Sequence, residues 1–136
     1  FWEIILALIV GILFGVFTGL TPGIHVNLIS VLVLSLSGIL LQYSTAATLS
    51  IFIISLAITH SFVDSVPSIY LGAPDEAQAL SVLPGHKLLH KGEGHNAILY
   101  TVIGSFGCMI ICILLFPVLL YLMKIIYSLI NSLIGY

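Results

Sequence analysis

The chain has no arginine and only three lysines, Lys87, Lys91 and Lys124, and between Glu3 and Asp64 it carries no charged side chain of either sign. Charged residues make up 6% of the 136, hydrophobic ones 60%, and the mean hydropathy is +1.29. A soluble domain is roughly 25% charged and needs polar residues over most of its surface, so the composition excludes that class. With a formal net charge of -2 there is no basic surface for a nucleic acid. Cys108 and Cys112 are too few for a disulfide framework, and their i, i+4 spacing in an apolar run reads as small buried hydrophobes. No basic segment precedes the first apolar run, so a signal peptide is not expected.

What is present is a series of apolar runs of membrane length, a span needing ~20 residues. Four are drawn at about residues 1–20, 24–41, 45–63 and 97–123, with the start of another at 125–136. The whole chain, 1–136, reads as one transmembrane region and as a piece of a longer polytopic protein. Trp2 and Glu3 suit an interfacial anchor. Gly11, Gly15 and Gly19 recur every four residues, a spacing that lets helix backbones approach closely, so this face is expected to meet protein and not lipid. The fourth span is long enough to tilt, or to bend at Pro117.

Polar residues collect in 64–96. There Pro74-Asp75-Glu76-Ala77-Gln78 is expected to open a short helix with Asp75 as N-cap, and Pro84-Gly85 to end it. The stretch 65–73 is apolar enough to re-enter the membrane. Lys87 and Lys91 favour a cytoplasmic polar segment, against which Lys124 argues weakly.

Two groups of residues stand out chemically. Thr21-Pro22-Gly23 reads as N-cap, N1 and N2 of the second helix. The amides of Gly23, Ile24 and His25 would then form a positive helix end suited to an anion, with His25 and Asn27 adding side-chain donors. An ordinary turn at the membrane surface explains the triplet about equally well. His60 and Asp64 share a helix face at the end of the third span, with Thr59, Ser61 and Ser65 around them and Pro67 following. Ionisable residues at that depth mark ion or proton paths, or else a helix end that satisfies itself. His86, His90, His95 and Glu93 resemble a zinc cluster in composition only; a solvated polar face outweighs it, and no metal is expected. No nucleophile elbow occurs among the serines.

In order and spacing these elements resemble the TctA family, the permease subunit of the tripartite tricarboxylate transporters. The family's Gly-x-x-Pro-Gly break is similar to Gly19-Leu20-Thr21-Pro22-Gly23, and its Pro-(Gly or Asp)-Glu turn to Gly72-Ala73-Pro74-Asp75-Glu76. Its Asp-Gly-Tyr-like element corresponds to Leu83-Pro84-Gly85-His86, and its Lys-x-Gly stretch to His90-Lys91-Gly92-Glu93-Gly94. Two places depart from the pattern. The family break continues Pro-Gly-Leu-Gly-Pro where this chain has Pro22-Gly23-Ile24-His25-Val26, and Asp75 stands where glycine is common. Tricarboxylate specificity is therefore not carried over, and a divergent prokaryotic branch, working without the usual extracytoplasmic binding protein, fits better.

The resemblance implies an all-α, polytopic inner-membrane permease with a broken or re-entrant helix region, this chain forming most of the first of two related halves. It implies a secondary transporter of a small carboxylate and no enzyme. No cofactor is implied beyond a coupling proton or sodium ion. The usual partners are a small membrane subunit and an extracytoplasmic binding protein. Thr21, Pro22, Gly23, His25 and Asn27 are the expected substrate residues. His60, Asp64, Gly72, Pro74, Asp75 and Glu76 are expected to serve coupling or gating. An intramembrane enzyme or metal-binding protein using the His, Asp and Glu residues is one rival, and a structural subunit packed by its glycine face is another.

Overall fold

The computed structural model describes residues 2–73 and 79–134, and every regular element among them is a helix. They are α1 (Trp2–Leu20), α2 (Val26–Ser35), α3 (Ser37–Leu40), α4 (Ala46–Val63), α5 (Ser65–Leu71), α6 (Ala79–His90) and α7 (Gly94–Ile134). Three stretches are long and apolar enough to cross a membrane: Trp2–Leu20, Ala46–Leu71 and Gly94–Tyr127. The chain is a helical, multi-pass membrane protein.

The expected protein-facing glycines build the central contact, between α1 and α4. A Cβ on Gly11 would overlap Ser55 Oγ; one on Gly15 would lie 2.6 Å from Thr59 Cβ and 2.7 Å from the Leu56 carbonyl; one on Gly19 would lie 2.9 Å from Val63 Cβ. Lipid supplies no hydrophobic drive between helices, so close van der Waals packing of small residues holds such a pair. The pairs Gly11–Ser55, Gly15–Thr59 and Gly19–Val63 keep a constant separation of 44 residues. The two helices therefore run parallel, with α2 and α3 as the return between them. Phe14 and Phe52 flank the seam edge to face, ring centroids 5.9 Å apart. Thr45 caps α4, its hydroxyl accepting from the Thr48 amide at 3.2 Å.

The same register sets Leu20, where α1 ends, level with Asp64, where α4 gives way to α5. Pro67 causes this second interruption by lacking the amide that would bond the Val63 carbonyl. The helical path is nevertheless kept: the Asp64 amide donates to the His60 carbonyl at 2.9 Å, and the Ser68 amide donates to the Asp64 carbonyl at 3.2 Å. α4 and α5 thus make one stretch of 26 residues, about 39 Å at 1.5 Å per residue. α1, with 19 residues, covers only about 28 Å. Beyond Asp64 the chain continues where α1 has stopped. Gly72 ends α5 in the left-handed conformation, φ 64°.

Several boundaries differ from the sequence reading. The second helix begins at Val26 with His25 as N-cap, not at Thr21, because Thr21 to Ile24 fold into a separate turn. Pro84-Gly85 does not end α6, which runs on to His90. Gly85 sits against α5, its Cβ position 3.0 Å from Ile69 Cγ1, so tertiary packing overrides a locally helix-breaking pair. α6 ends instead at a Schellman turn: Gly92, φ 81°, donates to the Leu89 carbonyl at 2.9 Å and Glu93 to the Leu88 carbonyl at 2.8 Å. One helix, Gly94–Ile134, replaces the two runs drawn at 97–123 and 125–136, and passes through Pro117 without stopping. The expected N-cap Asp75 lies outside the described residues.

The chain divides into two compact units, the first ending at Val102 and the second holding α7 from Ile103 onward. The candidate residues all belong to the first. In the second, the described side chains from Ile111 to Tyr127 are exposed, as suits a helix in contact with lipid.

Candidate functional site

At the level where α1 ends and α4 is interrupted there is a cavity of about 170 Å³. Its wall on one side is Thr18 and Gly19 of α1 with the turn residues Thr21, Pro22, Gly23, Ile24 and His25. On the other side stand His60, Asp64, Pro67, Ser68 and Ala73.

The turn is a type II β-turn, with Pro22 at its second position and Gly23 at its third. The Ile24 amide donates to the Thr21 carbonyl at 3.3 Å, and Gly23 has φ 91°. Thr21 finishes α1 by donating its hydroxyl to the Phe17 carbonyl at 2.8 Å. Glycine is needed at position 23 for its backbone and not for space, since a Cβ there meets nothing within 4 Å. Gly23→Ala is therefore expected to destabilise the protein by ~1–2 kcal/mol, the usual cost of a left-handed L-residue. Gly38→Ala, also in open space but helical, should be neutral or slightly stabilising. Thermal unfolding of the two solubilised variants checks the contrast.

His25, the N-cap of α2, is extended at φ -84° and ψ 147°. The first helical amides of α2 are thus those of Val26 and Asn27, and the cavity lining reaches the N-cap His25 but neither of these two residues.

His60 and Asp64 are both 6% exposed. His60 is tied to α1 through its Nδ1, 3.0 Å from Thr18 Oγ1. Ser68 shares their face one turn further on and bonds back, its hydroxyl donating to the Asp64 carbonyl at 2.7 Å. Neither lysine nor arginine lines this cavity, and none occurs in residues 1–86. Among the described residues its ionisable lining groups are His25, His60 and Asp64.

The structure thus brings Thr21, Pro22, Gly23 and His25 together with His60 and Asp64. Asn27 is exposed in α2 and does not line the cavity. Gly72 is not in the lining either; it caps α5 beside His86, whose Cε1 is 3.1 Å from where a Cβ would stand. Pro74, Asp75 and Glu76 lie outside the described residues. Sequence reasoning missed Thr18 and Ser68. Both were signalled by spacing: Thr18 stands three residues after Gly15 on the packed face, and Ser68 four after Asp64. Among the described residues no three His, Cys, Asp or Glu side chains converge as a metal site. His86 and His90 do approach, ring centroids 6.2 Å apart.

The family model described as "Tripartite tricarboxylate transporter TctA family" matches residues 5–132. An uncharacterized protein of Methanocaldococcus jannaschii is 42% identical over 123 residues, which are 90% of this chain and 29% of that protein. The chain therefore spans less than a third of the length of this curated relative. No solved structure matches. The matched family is one of transporters and not of enzymes. With the match running through all three long apolar stretches, the chain belongs to the TctA family.

Proposed function

We propose that this chain supplies part of the translocation path of a permease that moves a small organic anion, coupled to a proton or sodium ion. The observation that carries the reading is the single cavity shared by the Thr21–His25 turn and the His60–Asp64 face. Interrupted helices that meet at one level are how many transporters build a site within the bilayer, and ionisable residues there are candidates for ion pathways. The Thr21–His25 turn would hold a carboxylate, and Asp64 with His60 would carry the coupling ion.

The charge balance narrows the substrate. With no lysine or arginine on the wall, several carboxylates at once would go uncompensated beside Asp64. A substrate with one or two negative charges fits better than a tricarboxylate. The protein would reside in the cell's inner membrane, with Lys87 and Lys91 on the cytoplasmic side. The family's tripartite name raises a small membrane subunit and an extracytoplasmic binding protein as partners.

Single cysteines at Thr21, Gly23 and Ser68, in a full-length protein otherwise free of cysteine, test this. A water-soluble thiol reagent should modify all three, and a mono- or dicarboxylate that is transported should slow the reaction. Cysteine at Asn27, off the cavity, should react at a rate that substrate leaves unchanged. Equal rates with and without every carboxylate of a panel would reduce the cavity to a packing defect.

A further inference from the structure

We infer that α6 opens from the end of α5, and that His86 biases this contact towards the open state. The inference deepens the gating role expected of Gly72, and rests on the proposed transport only for its consequence there.

Close contacts hold α6 and the start of α7 to α5. Ile69, fully buried, has its Cγ1 3.0 Å from the Cβ position of Gly85, and Tyr70 Oη stands 3.1 Å from that of Gly94. His86 lies against Gly72, the left-handed residue that ends α5, with Cε1 and Nε2 3.1 and 3.4 Å from its Cβ position. The contact of Ile69 with Gly85 is an apolar fit that burial rewards. The contact of His86 is not. Its Nε2 is closed off from water and has no hydrogen-bond partner among the described residues. His90, one turn on, meets the ring nearly at right angles, centroids 6.2 Å apart, and offers it no hydrogen bond.

The cost is the same in kind for every state of the ring. Nε2 is a donor in one neutral tautomer, an acceptor in the other and a donor in the imidazolium. In each of them, closing the contact strips a polar atom of water and returns nothing. An unsatisfied buried polar group weighs against the closed state by roughly 5- to 150-fold, equivalent to ~1–3 kcal/mol. Opening gives the atom back to water and gives up the fit of Ile69 on Gly85. Opposed terms of similar size leave two arrangements close in free energy, as a switching element requires. The place of this contact ties it to the cavity. Pro67, Ser68 and Ala73, from the same stretch of chain as Ile69 and Gly72, line one side of it. Movement of α6 therefore frees the segment that carries that wall.

Distances between nitroxide labels at Ile54 on α4 and Leu83 on α6, both exposed, read the contact in the full-length protein, otherwise free of cysteine, in lipid nanodiscs. Pulsed electron resonance should give two distances for the parent, one of them that of the closed structure. His86→Leu removes the orphaned nitrogen and keeps an apolar filling, so the closed-to-open ratio should rise about fivefold or more. His86→Phe should act in the same direction. Both variants should melt at a higher temperature than the parent and take up carboxylate more slowly. A single distance in the parent, or an unchanged ratio in both variants, overturns the inference. A lower melting temperature in both marks the ring as a structural tie and also overturns it. Parent-level uptake by variants whose ratio has risen overturns the part of this opening in transport. If the parent carries no carboxylate at all, the proposed function falls, while the distances and melting temperatures still decide the role of His86.

Discussion

Gly15→Leu is expected to leave little folded protein in the membrane, the largest stability loss of any single substitution on the α1–α4 seam. A Cβ at this position would be 2.6 Å from Thr59 Cβ and 2.7 Å from the Leu56 carbonyl. Neither neighbour can swing away, since one is a branched carbon on its backbone and the other is backbone itself. The helices must separate, and separation breaks the Thr18–His60 hydrogen bond within the same turn. Overpacking by a few atoms costs ~1–3 kcal/mol in a tight core, and a leucine adds four, against a total stability of about 5–15 kcal/mol. Gly15→Ala should survive with a lowered melting temperature. Gly38→Leu, with open space around it, should behave like the parent. Yield of monodisperse protein and thermal unfolding in detergent distinguish the three.

The seam was legible because its signal is local. Three glycines at intervals of four can share only one helix face, and that face proved to be the buried one. Which helix it would meet was not legible, since Ser55, Thr59 and Val63 look like ordinary members of an apolar run until the constant separation of 44 residues is seen. The turn at Thr21-Pro22-Gly23 was recognisable from its residue types, but its role was misplaced. Proline fits both the first helical position and the second position of a type II turn, and only φ 91° at Gly23 separates the two. Pro84-Gly85 misled for a related reason: local breaking tendency says nothing of Ile69 lying against Gly85. The candidate site was read as two groups more than thirty residues apart, and the parallel register that brings them to one cavity is a tertiary fact. Thr18 was overlooked because a lone threonine in a glycine-rich apolar helix carries no chemistry until a histidine is found opposite.

Asp64→Asn is expected to uncouple transport without destroying it. The carboxylate is 6% exposed, sits where α4 is interrupted, and faces a cavity with no lysine or arginine on its wall. Asparagine keeps the size and most hydrogen-bonding capacity but can neither take up a proton nor attract a cation. Coupling between two ligands of one protein is typically worth ~1–3 kcal/mol, or 5–150-fold, so its removal should cut gradient-driven accumulation by roughly tenfold or more. Exchange of labelled for unlabelled substrate needs no net ion movement and should fall far less. His60→Gln should alter the pH dependence of accumulation while sparing its maximum.

The measurement that bears most directly on the account is made on the full-length protein in liposomes. Accumulation of a mono- or dicarboxylate under an imposed proton or sodium gradient is compared with exchange at equilibrium, for the parent and for Asp64→Asn. The account predicts a parent active in both and a variant that exchanges substrate but no longer accumulates it. Accumulation by Asp64→Asn at the parent level and with the parent pH profile would contradict it, and would make the pair of His60 and Asp64 a structural helix end.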